Sequence, residues 1–551
     1  MNKRIAFYLF IILQAFGVIQ AQQVQPYWVF LSDKDGCGFS LSAPDRFLSE
    51  SALQRRERQQ IPLSYSDLPV SQVYVTRLEN MGAEIRVQSR WFNAVSIMAD
   101  EATLSAISAE PFVQSMMPVK SWRRPLQETW NQLPVAKTAV TTETAYGLAG
   151  NQNDMIHLEF LHELGYRGQN VTIAVLDGGF EGVDTGMAFA GFWEKEQILG
   201  AYNFADGNDS VYFSSLHGTF VLSIMGAERP GSYVGASPDA SFYLFRTEVV
   251  DSERVAEEDF WLAAAEYADF IGVDIINSSL GYTTFDLPEE DHTYADMDGN
   301  TTIVTRAADM AASKGILVCN SAGNSGNDDW QYIGAPADGD SVFSIGAVTP
   351  ERNYASFSST GPTADGRIKP NIAVQGDNSA VLHPNGAIYI GSGTSFASPL
   401  AAGAAACLWQ AFPDKTNMEI MLAMQQSSTQ ALDPDNLLGY GIPNMAVAYH
   451  LLNGTDFDAM EGDIISVFPN IVHDQTTLVI QQPVLNGTSV IIYDFQGRRV
   501  MEQAIDYSEN PTSLVSLSGL DALPKGSYLL SMVQDETDTT TIIETIRFIR
   551  Q

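Results

Sequence analysis

Four short stretches of this chain carry side chains suited to nucleophilic chemistry, and each has an ordinary structural reading when taken alone. In Gly393-Thr394-Ser395-Phe396-Ala397-Ser398-Pro399, the turn-prone Gly391, Ser392 and Gly393 deliver Ser395 to the mouth of an apolar run from Leu400 to Phe412. A serine there sits at the positive end of a helix, among backbone N–H groups with no partner inside the helix. Gly393 has no Cβ to hold off a substrate backbone, and Pro399 fits a first helical turn. Alone, the stretch is an N-capped core helix. Asp177 ends the apolar run Val171 to Leu176 and precedes Gly178-Gly179, so it lies at a strand's carboxyl end, where open α/β sheets carry their sites. Alone, it is an Asp-Gly turn. His217 stands in Ser214-Ser215-Leu216-His217-Gly218-Thr219 and opens an apolar helix from Phe220 to Gly226. A histidine so placed can take a proton from a hydroxyl while an aspartate holds its other nitrogen; alone, it is a capping or packing residue. The chain has 7 histidines, so rival bases are few. Asn324, in the turn Asn320 to Gly326 after a strand ending at Cys319, could donate its amide to a developing oxyanion. Alone, it is a turn asparagine.

Together the stretches say more than they do singly. The order Asp177, His217, Ser395 is that of subtilisin, and differs from the chymotrypsin and α/β-hydrolase orders. From about Asp154 to Leu452 the chain resembles the subtilisin-type (subtilase, peptidase S8) serine endopeptidases, on AVLDGG, HGT, NSSLG, SAGNSG and GTSFASP in that order. The resemblance implies Ser395 as nucleophile, His217 as general base and later acid, and Asp177 as the orienting carboxylate. It implies Asn324 as an oxyanion donor beside the Ser395 N–H. Ser279-Leu280-Gly281 matches the family strand along which a peptide substrate adds main-chain hydrogen bonds. Ser321-Ala322-Gly323 would form the facing wall of the primary side-chain pocket. No cofactor is required for this chemistry. Leu400 stands where many relatives have histidine, and the insertion Thr283 to Asn300 is peculiar to this type. Its Asp296-Met297-Asp298-Gly299-Asn300 run could ligate structural calcium, but lacks the full loop pattern and reads first as a solvated loop.

The elements that must position these groups are legible as alternating runs. Strand-like runs recur at Val171 to Leu176, Ser241 to Phe245, Val273 to Ile276, Ile316 to Cys319 and Val342 to Val348. Helical patterns lie between several of them, as at Val255 to Ile271 and Thr302 to Lys314. Continuous apolar strands separated by helices predict an α/β fold, a mostly parallel sheet flanked by helices. At 551 residues the chain has room for several domains at about 150 residues each. Residues 154–455 read as the catalytic domain. Residues 22–122 read as an α+β domain in roughly β-α-β-β-α-β order, with a charged helix from Ser49 to Gln60 that bears Arg55-Arg56-Glu57-Arg58. It resembles a subtilase propeptide, which would occupy the cleft as an intramolecular inhibitor. Residues 123–153, beginning Arg123-Arg124-Pro125, are a linker or a maturation region.

The final part, 461–551, has short β-rich runs at regular spacing, as a β-sandwich does. Ser466 to Asn470, Tyr493 to Arg498, Leu523 to Leu529 and Ile546 to Arg550 make it similar to the sorting domain of the Bacteroidetes type IX secretion system. That resemblance implies the secretion machinery as a partner. Met1 to Ala21 reads as a signal peptide, basic at Lys3 and Arg4 and apolar from Ile5 to Ile19. No other stretch is long and apolar enough for a transmembrane span in the mature chain. The expected location is outside the outer membrane, secreted or at the cell surface. A net charge of −36, from 30 basic and 66 acidic residues, argues against nucleic-acid or anionic-membrane partners, and the resemblance to the peptidases implies protein or peptide substrates. Cys37, Cys319 and Cys407 make no disulfide framework, though a Cys319–Cys407 bridge stays open. The rival to an enzyme made as a zymogen is a catalytically silent surface-binding protein that keeps the same fold.

Overall fold

A computed structural model describes residues 24–119, 130–132, 146–249, 256–285 and 291–453. It also describes 465–468, 471–472, 476–480, 484, 487–494, 497–505, 513–517, 519–536 and 539–550. The signal peptide, most of the linker and part of the acidic insertion lie outside the described residues.

The N-terminal region is an antiparallel four-stranded sheet with two of its helices on one face. Its elements are β1 (Gln25–Leu31), α1 (Glu50–Arg58), α2 (Gln72–Asn80), β2 (Glu84–Ser89), β3 (Ala94–Ala99), α3 (Glu101–Ile107) and β4 (Val113–Pro118), with strand order β2-β3-β1-β4. The alternation of Val29 and Leu31 with Trp28 divides β1 between two cores. Val29, Leu31, Val95 and Ile97 pack under the domain's own helices. Trp28, Val87, Trp91 and Ala94 face the middle domain. After Val119 the next described segment is β5 (Trp130–Gln132).

The middle domain is built on a seven-stranded sheet. Its strands are β6 (Thr172–Asp177), β7 (Ile198–Asn203), β8 (Ser241–Arg246), β9 (Ile275–Ser278), β10 (Leu317–Ser321), β11 (Phe343–Val348) and β12 (Ile372–Gln375). The order is β12-β11-β10-β9-β6-β8-β7, every pair parallel. Helices cover both faces, so the strands are apolar on both sides: Ile173 and Val175 enter one core, Ala174 and Leu176 the other. One face is closed by α4 (His217–Gly226) and α7 (Thr394–Ala411), the other by α5 (Ala256–Ile271) and α6 (Ile303–Ser313). The alanines of α7 favour helix and let it lie close beneath the strands. The expected α/β fold is therefore present. Two of its strands, β7 and β12, lie at the sheet's edges and went unread as apolar runs. An antiparallel hairpin, β13 (Ser379–Leu382) and β14 (Ile388–Gly391), precedes α7, and β5 pairs with its outer strand.

The C-terminal region has a three-stranded sheet (Ile465–Phe468, Thr476–Ile480, Ser513–Leu517) and a five-stranded one. They share a core of Leu478, Ile480, Leu517, Val490, Ile492, Leu530 and Met532, as a sandwich requires. All three cysteines are free, and burial pushes the Cys319 and Cys407 thiols up. No bridge joins Cys319 to Cys407; the Cys407 thiol instead donates to the Ala236 carbonyl at 3.2 Å. In the acidic insertion, Asp296 accepts from Thr293 N at 2.7 Å and Asp298 from Asn300 N and Thr301 N at 2.8 Å each, so both carboxylates close local turns.

The Arg55-Arg56-Glu57-Arg58 run, unremarkable as a charged helix, turns out to grip the middle domain. Asp269 on α5 is fully buried and receives Arg55, Arg56 (2.8 Å) and Arg90 (2.7 Å). Burial works against its ionisation, but the charges of Arg90, Arg55 and Arg56 prevail and hold the carboxyl below its ordinary value. About one and three turns before it, Glu266 accepts from Ser89 Oγ at 2.6 Å and Arg90 N at 3.0 Å, and Asp259 from Trp28 Nε1 and Ser96 Oγ at 2.7 Å each. Three carboxylates on one face of α5 thus hold the N-terminal sheet. Breaking a buried ion pair from one side costs about 3–5 kcal/mol. Asp269→Asn should therefore speed amide exchange across 50–98 in the full chain, with exchange in α7 unchanged. Equal protection of 50–98 in both proteins would refute this grip.

Candidate active site

The parallel register brings the carboxyl ends of four strands to one edge. Arg246 of β8 is level with Asp177 of β6, Ser278 of β9 with Leu176, and Asn320 of β10 with Ser278. The loops leaving these strands hold the sequence-derived candidates.

Asp177 is fully buried. Its carboxylate accepts from Gly178 N at 2.8 Å and from His217 Nδ1, at 2.9 Å through Oδ1 and 2.8 Å through Oδ2. A carboxylate only accepts here, so Nδ1 carries a proton and Nε2 is the acceptor nitrogen of the neutral ring. The helix start comes this near because residue 218 is glycine: a Cβ there would lie 2.4 Å from Gly179 O and 2.9 Å from the Asp177 side chain. Ser215 Oγ accepts from His217 N at 3.0 Å and fixes the turn into α4.

Ser395 is the second residue of α7 and nearly buried. Its neighbour Phe396 lies 6.2 Å, ring centre to ring centre, from His217, so the start of α7 abuts the imidazole. Pro399 lies inside the helix, past the first turn in which it was expected. Lacking an N–H, it leaves the carbonyl of Ser395, four residues back, without its helical donor. Ser279 Oγ supplies the bond at 3.0 Å, and Ser395 Oγ donates in return to Ser279 O at 3.3 Å. Ser398 Oγ donates to Asn277 Oδ1 at 2.9 Å. The helix defect thereby ties Ser395 to the loop after β9.

That loop, Ser279-Leu280-Gly281, is the expected substrate strand, and it differs from the expectation in one respect: β9 stops at Ser278, and the run continues beyond the sheet. Leu280 O accepts from Asn320 Nδ2 at 2.9 Å, which binds it to the stretch Ser321-Ala322-Gly323. Ala322 is buried against Ile333 and Ala337, whereas Gly281 is exposed and a Cβ there would meet nothing closer than 4.0 Å. Asn324 is exposed, and its Oδ1 accepts from Thr394 N at 2.8 Å and Thr394 Oγ1 at 3.0 Å. A backbone N–H can only donate, so Nδ2 is the free-facing end of the amide. It lies beside Gly393, 3.6 Å from where a Cβ would be. All ten sequence-derived residues therefore gather at one edge of the sheet.

Sequence reasoning missed the residues that hold them: Thr394, which orients Asn324; Asn277, which receives Ser398; and Tyr282, whose hydroxyl donates to Glu248 at 2.7 Å. Thr394 and Asn277 stand inside quoted motifs, so their presence was visible and their pairing was not. Glu248 had no motif to mark it. Among the described residues, no cluster of three or more His, Cys, Asp or Glu side chains is arranged to hold a metal. Segment β5 runs antiparallel to β14, Trp130 opposite Gly391, four residues before Ser395 in the chain.

Comparison with known proteins agrees with this architecture. Residues 168–441 match the subtilase family (peptidase S8), 26–133 the peptidase S8 propeptide domain of Bacteroidota, and 466–544 the secretion system C-terminal sorting domain. The propeptide match ends just past β5. Subtilisin E of Bacillus subtilis is 27% identical over 378 residues, covering 67% of this chain and 84% of its own length. Serine protease AprX of the same species is 30% identical over 310 residues, covering 50% of this chain and 65% of its own. A crystal structure of MycP1 from the ESX-1 type VII secretion system aligns with 60% of this chain and 91% of its own at 20% identity and a TM-score of 0.45. Among the described residues no helix is long and apolar enough to cross a membrane. The chain carries a subtilase-family serine peptidase domain between a Bacteroidota-type S8 propeptide domain and a C-terminal sorting domain that marks it for export, to secretion or the cell surface.

Proposed function

We propose that this protein is a secreted serine endopeptidase, made as a zymogen, that cleaves peptide bonds through an acyl-enzyme on Ser395. The observation that carries the reading is the pairing of His217 Nδ1 with both oxygens of buried Asp177, with Phe396, the residue after Ser395 at the start of α7, against the same ring. In the reaction, Ser395 Oγ turns from Ser279 O to His217 Nε2, which takes its proton as Oγ bonds to the substrate carbonyl carbon. The oxyanion is met by Asn324 Nδ2 and the Ser395 N–H, at the positive end of α7. His217 returns the proton to the leaving amine as the C–N bond breaks, and water then releases the acyl group by the same steps in reverse roles. Asp177 keeps Nδ1 protonated and steadies the imidazolium. The extended run Ser279 to Gly281 pairs with substrate main chain, and Ser321 to Gly323 walls the pocket opposite. No cofactor enters these steps.

The N-terminal domain acts as the intramolecular inhibitor. Two observations support that role: the carboxylate grip on α5, and the pairing of β5 with β14 next to the Ser395 helix. The maturation cut belongs to the linker 123–153.

Ser395→Ala should abolish casein hydrolysis; undiminished hydrolysis would leave the fold as a surface-binding scaffold. Asn324→Ala should lower kcat by about 10²–10³-fold with little change in KM, because the amide acts only on the developing charge. A rise in KM at constant kcat would assign Asn324 to substrate binding instead. Deleting 461–551 should hold the protein in the periplasm, and its normal appearance in the medium would refute the sorting role.

A further inference from the structure

Tyr282 follows directly on the run Ser279 to Gly281 and is almost wholly buried. Its main chain exchanges hydrogen bonds with Ala335, N to O at 2.8 Å and O from N at 3.2 Å. Its hydroxyl crosses to another part of the edge and donates to Glu248 Oε1 at 2.7 Å. Thr247 Oγ1 donates to the same oxygen at 3.0 Å, and Thr247 N donates to Asp177 O at 3.0 Å. Glu248 is thus two residues past Arg246, the residue level with Asp177 in the sheet. A continuous path results, Asp177, Thr247, Glu248, Tyr282, Gly281, Ser279, Ser395, and it joins the two ends of the site without passing through His217.

The path is held unevenly. The Ser279 end is fastened to α7 by two hydrogen bonds, and Leu280 by Asn320. The Gly281 end, which is exposed, has on its far side only what Tyr282 provides. The main-chain pair with Ala335 fixes the backbone of Tyr282, and the Glu248 acceptor fixes where its ring and hydroxyl lie, because a buried hydroxyl without an acceptor is costly.

We propose that the Tyr282–Glu248 hydrogen bond is a strut that sets the substrate-facing run Ser279 to Gly281 at its working distance from the Asp177 edge, making both residues positioning residues for peptide binding. This rests on the proposed function and deepens it. The charges facing the strut come from three elements. From β6 and β8 these are Asp177 and Arg246, the latter engaged by Asp206 at 2.8 Å. From the start of α5, Glu257 and Glu258 act on Tyr282. Glu257 accepts from Val249 N at 2.8 Å, and Glu258 is paired with His292 at 2.6 Å. Among the described residues no cation forms an ion pair with Glu248. Burial, with Asp177 adding to it, pushes Glu248 up to about 7 against the opposing bonds from Tyr282 and Thr247. Those bonds favour the carboxylate, and a hydroxyl donates more strongly to a charged acceptor than to a neutral one. The strut therefore tightens as pH rises through about 7.

The test uses the processed full-length product, a tetrapeptidyl anilide that spans the run, and a one-residue ester that does not. Tyr282→Phe should raise KM for the anilide about tenfold at unchanged kcat, leaving the ester and the rate of fluorophosphonate labelling unaffected. Glu248→Leu should do the same, the double variant should be no worse than either alone, and Glu248→Gln, which keeps an acceptor, should recover much of the loss. From pH 6 to 8 the parent's anilide KM should fall, and that of Glu248→Gln should stay flat. A labelled enzyme whose Tyr282→Phe form keeps its anilide KM, or loses equally on the ester, overturns the strut while leaving the protease reading intact. Additive losses in the double variant overturn it too. A parent that takes no label overturns the protease reading and the strut with it.

Discussion

The site depends on a carboxylate that cannot leave. Asp177 ends a central strand, covered on both faces, and its oxygens have an acceptor's capacity that only N–H groups near that strand end can fill. Gly178 N fills part, and the imidazole of His217 fills the rest. A buried charge without such partners would be expelled or neutralised. The histidine's tautomer, the close approach of the first turn of α4 and the need for glycine at 218 all follow from satisfying that one group.

The second constraint is the parallel register. It sets loops after β6, β9 and β10 side by side, which is why Asp177, Ser279 and Asn324, each some tens to more than a hundred positions from the next, meet at one edge. Pro399 then couples that edge to α7. By removing one helical hydrogen bond it opens the Ser395 carbonyl to Ser279, so a flaw in the helix becomes the joint between Ser395, the proposed nucleophile, and the run Ser279 to Gly281. The same economy appears on the opposite face of the sheet. There α5 offers Asp259, Glu266 and Asp269 to the N-terminal domain while its apolar face fills the core.

Much of this could be read from residue order. Asp177, His217, Asn324 and Ser395 were legible because each sits in a short motif at a strand or helix end, where local rules are strong. The buried strands were legible because continuous apolar runs mark a sheet covered on both faces. Edge strand β7 was not, since its residues are half-exposed and mixed in character. The substrate run was legible as a motif but not as a segment leaving the sheet, which depends on where β9 loses its neighbours. The role of Arg55 and Arg56 was out of reach, because their partner Asp269 lies over two hundred residues away and local charge patterning cannot distinguish a clasp from a solvated face. Glu248 and Tyr282 were hidden for the same reason. Pairings between distant side chains leave no period in the sequence.

The central claim is that Ser395 is the atom-bearing nucleophile activated by the Asp177–His217 pair. It is tested most directly by peptide mapping of the mature protein after reaction with a fluorophosphonate. The account predicts a single adduct on the peptide containing Ser395, forming far more slowly when Asp177 is changed to Asn and the imidazole is left in the wrong tautomer. An adduct on a different serine, or a rate indifferent to Asp177, would contradict it.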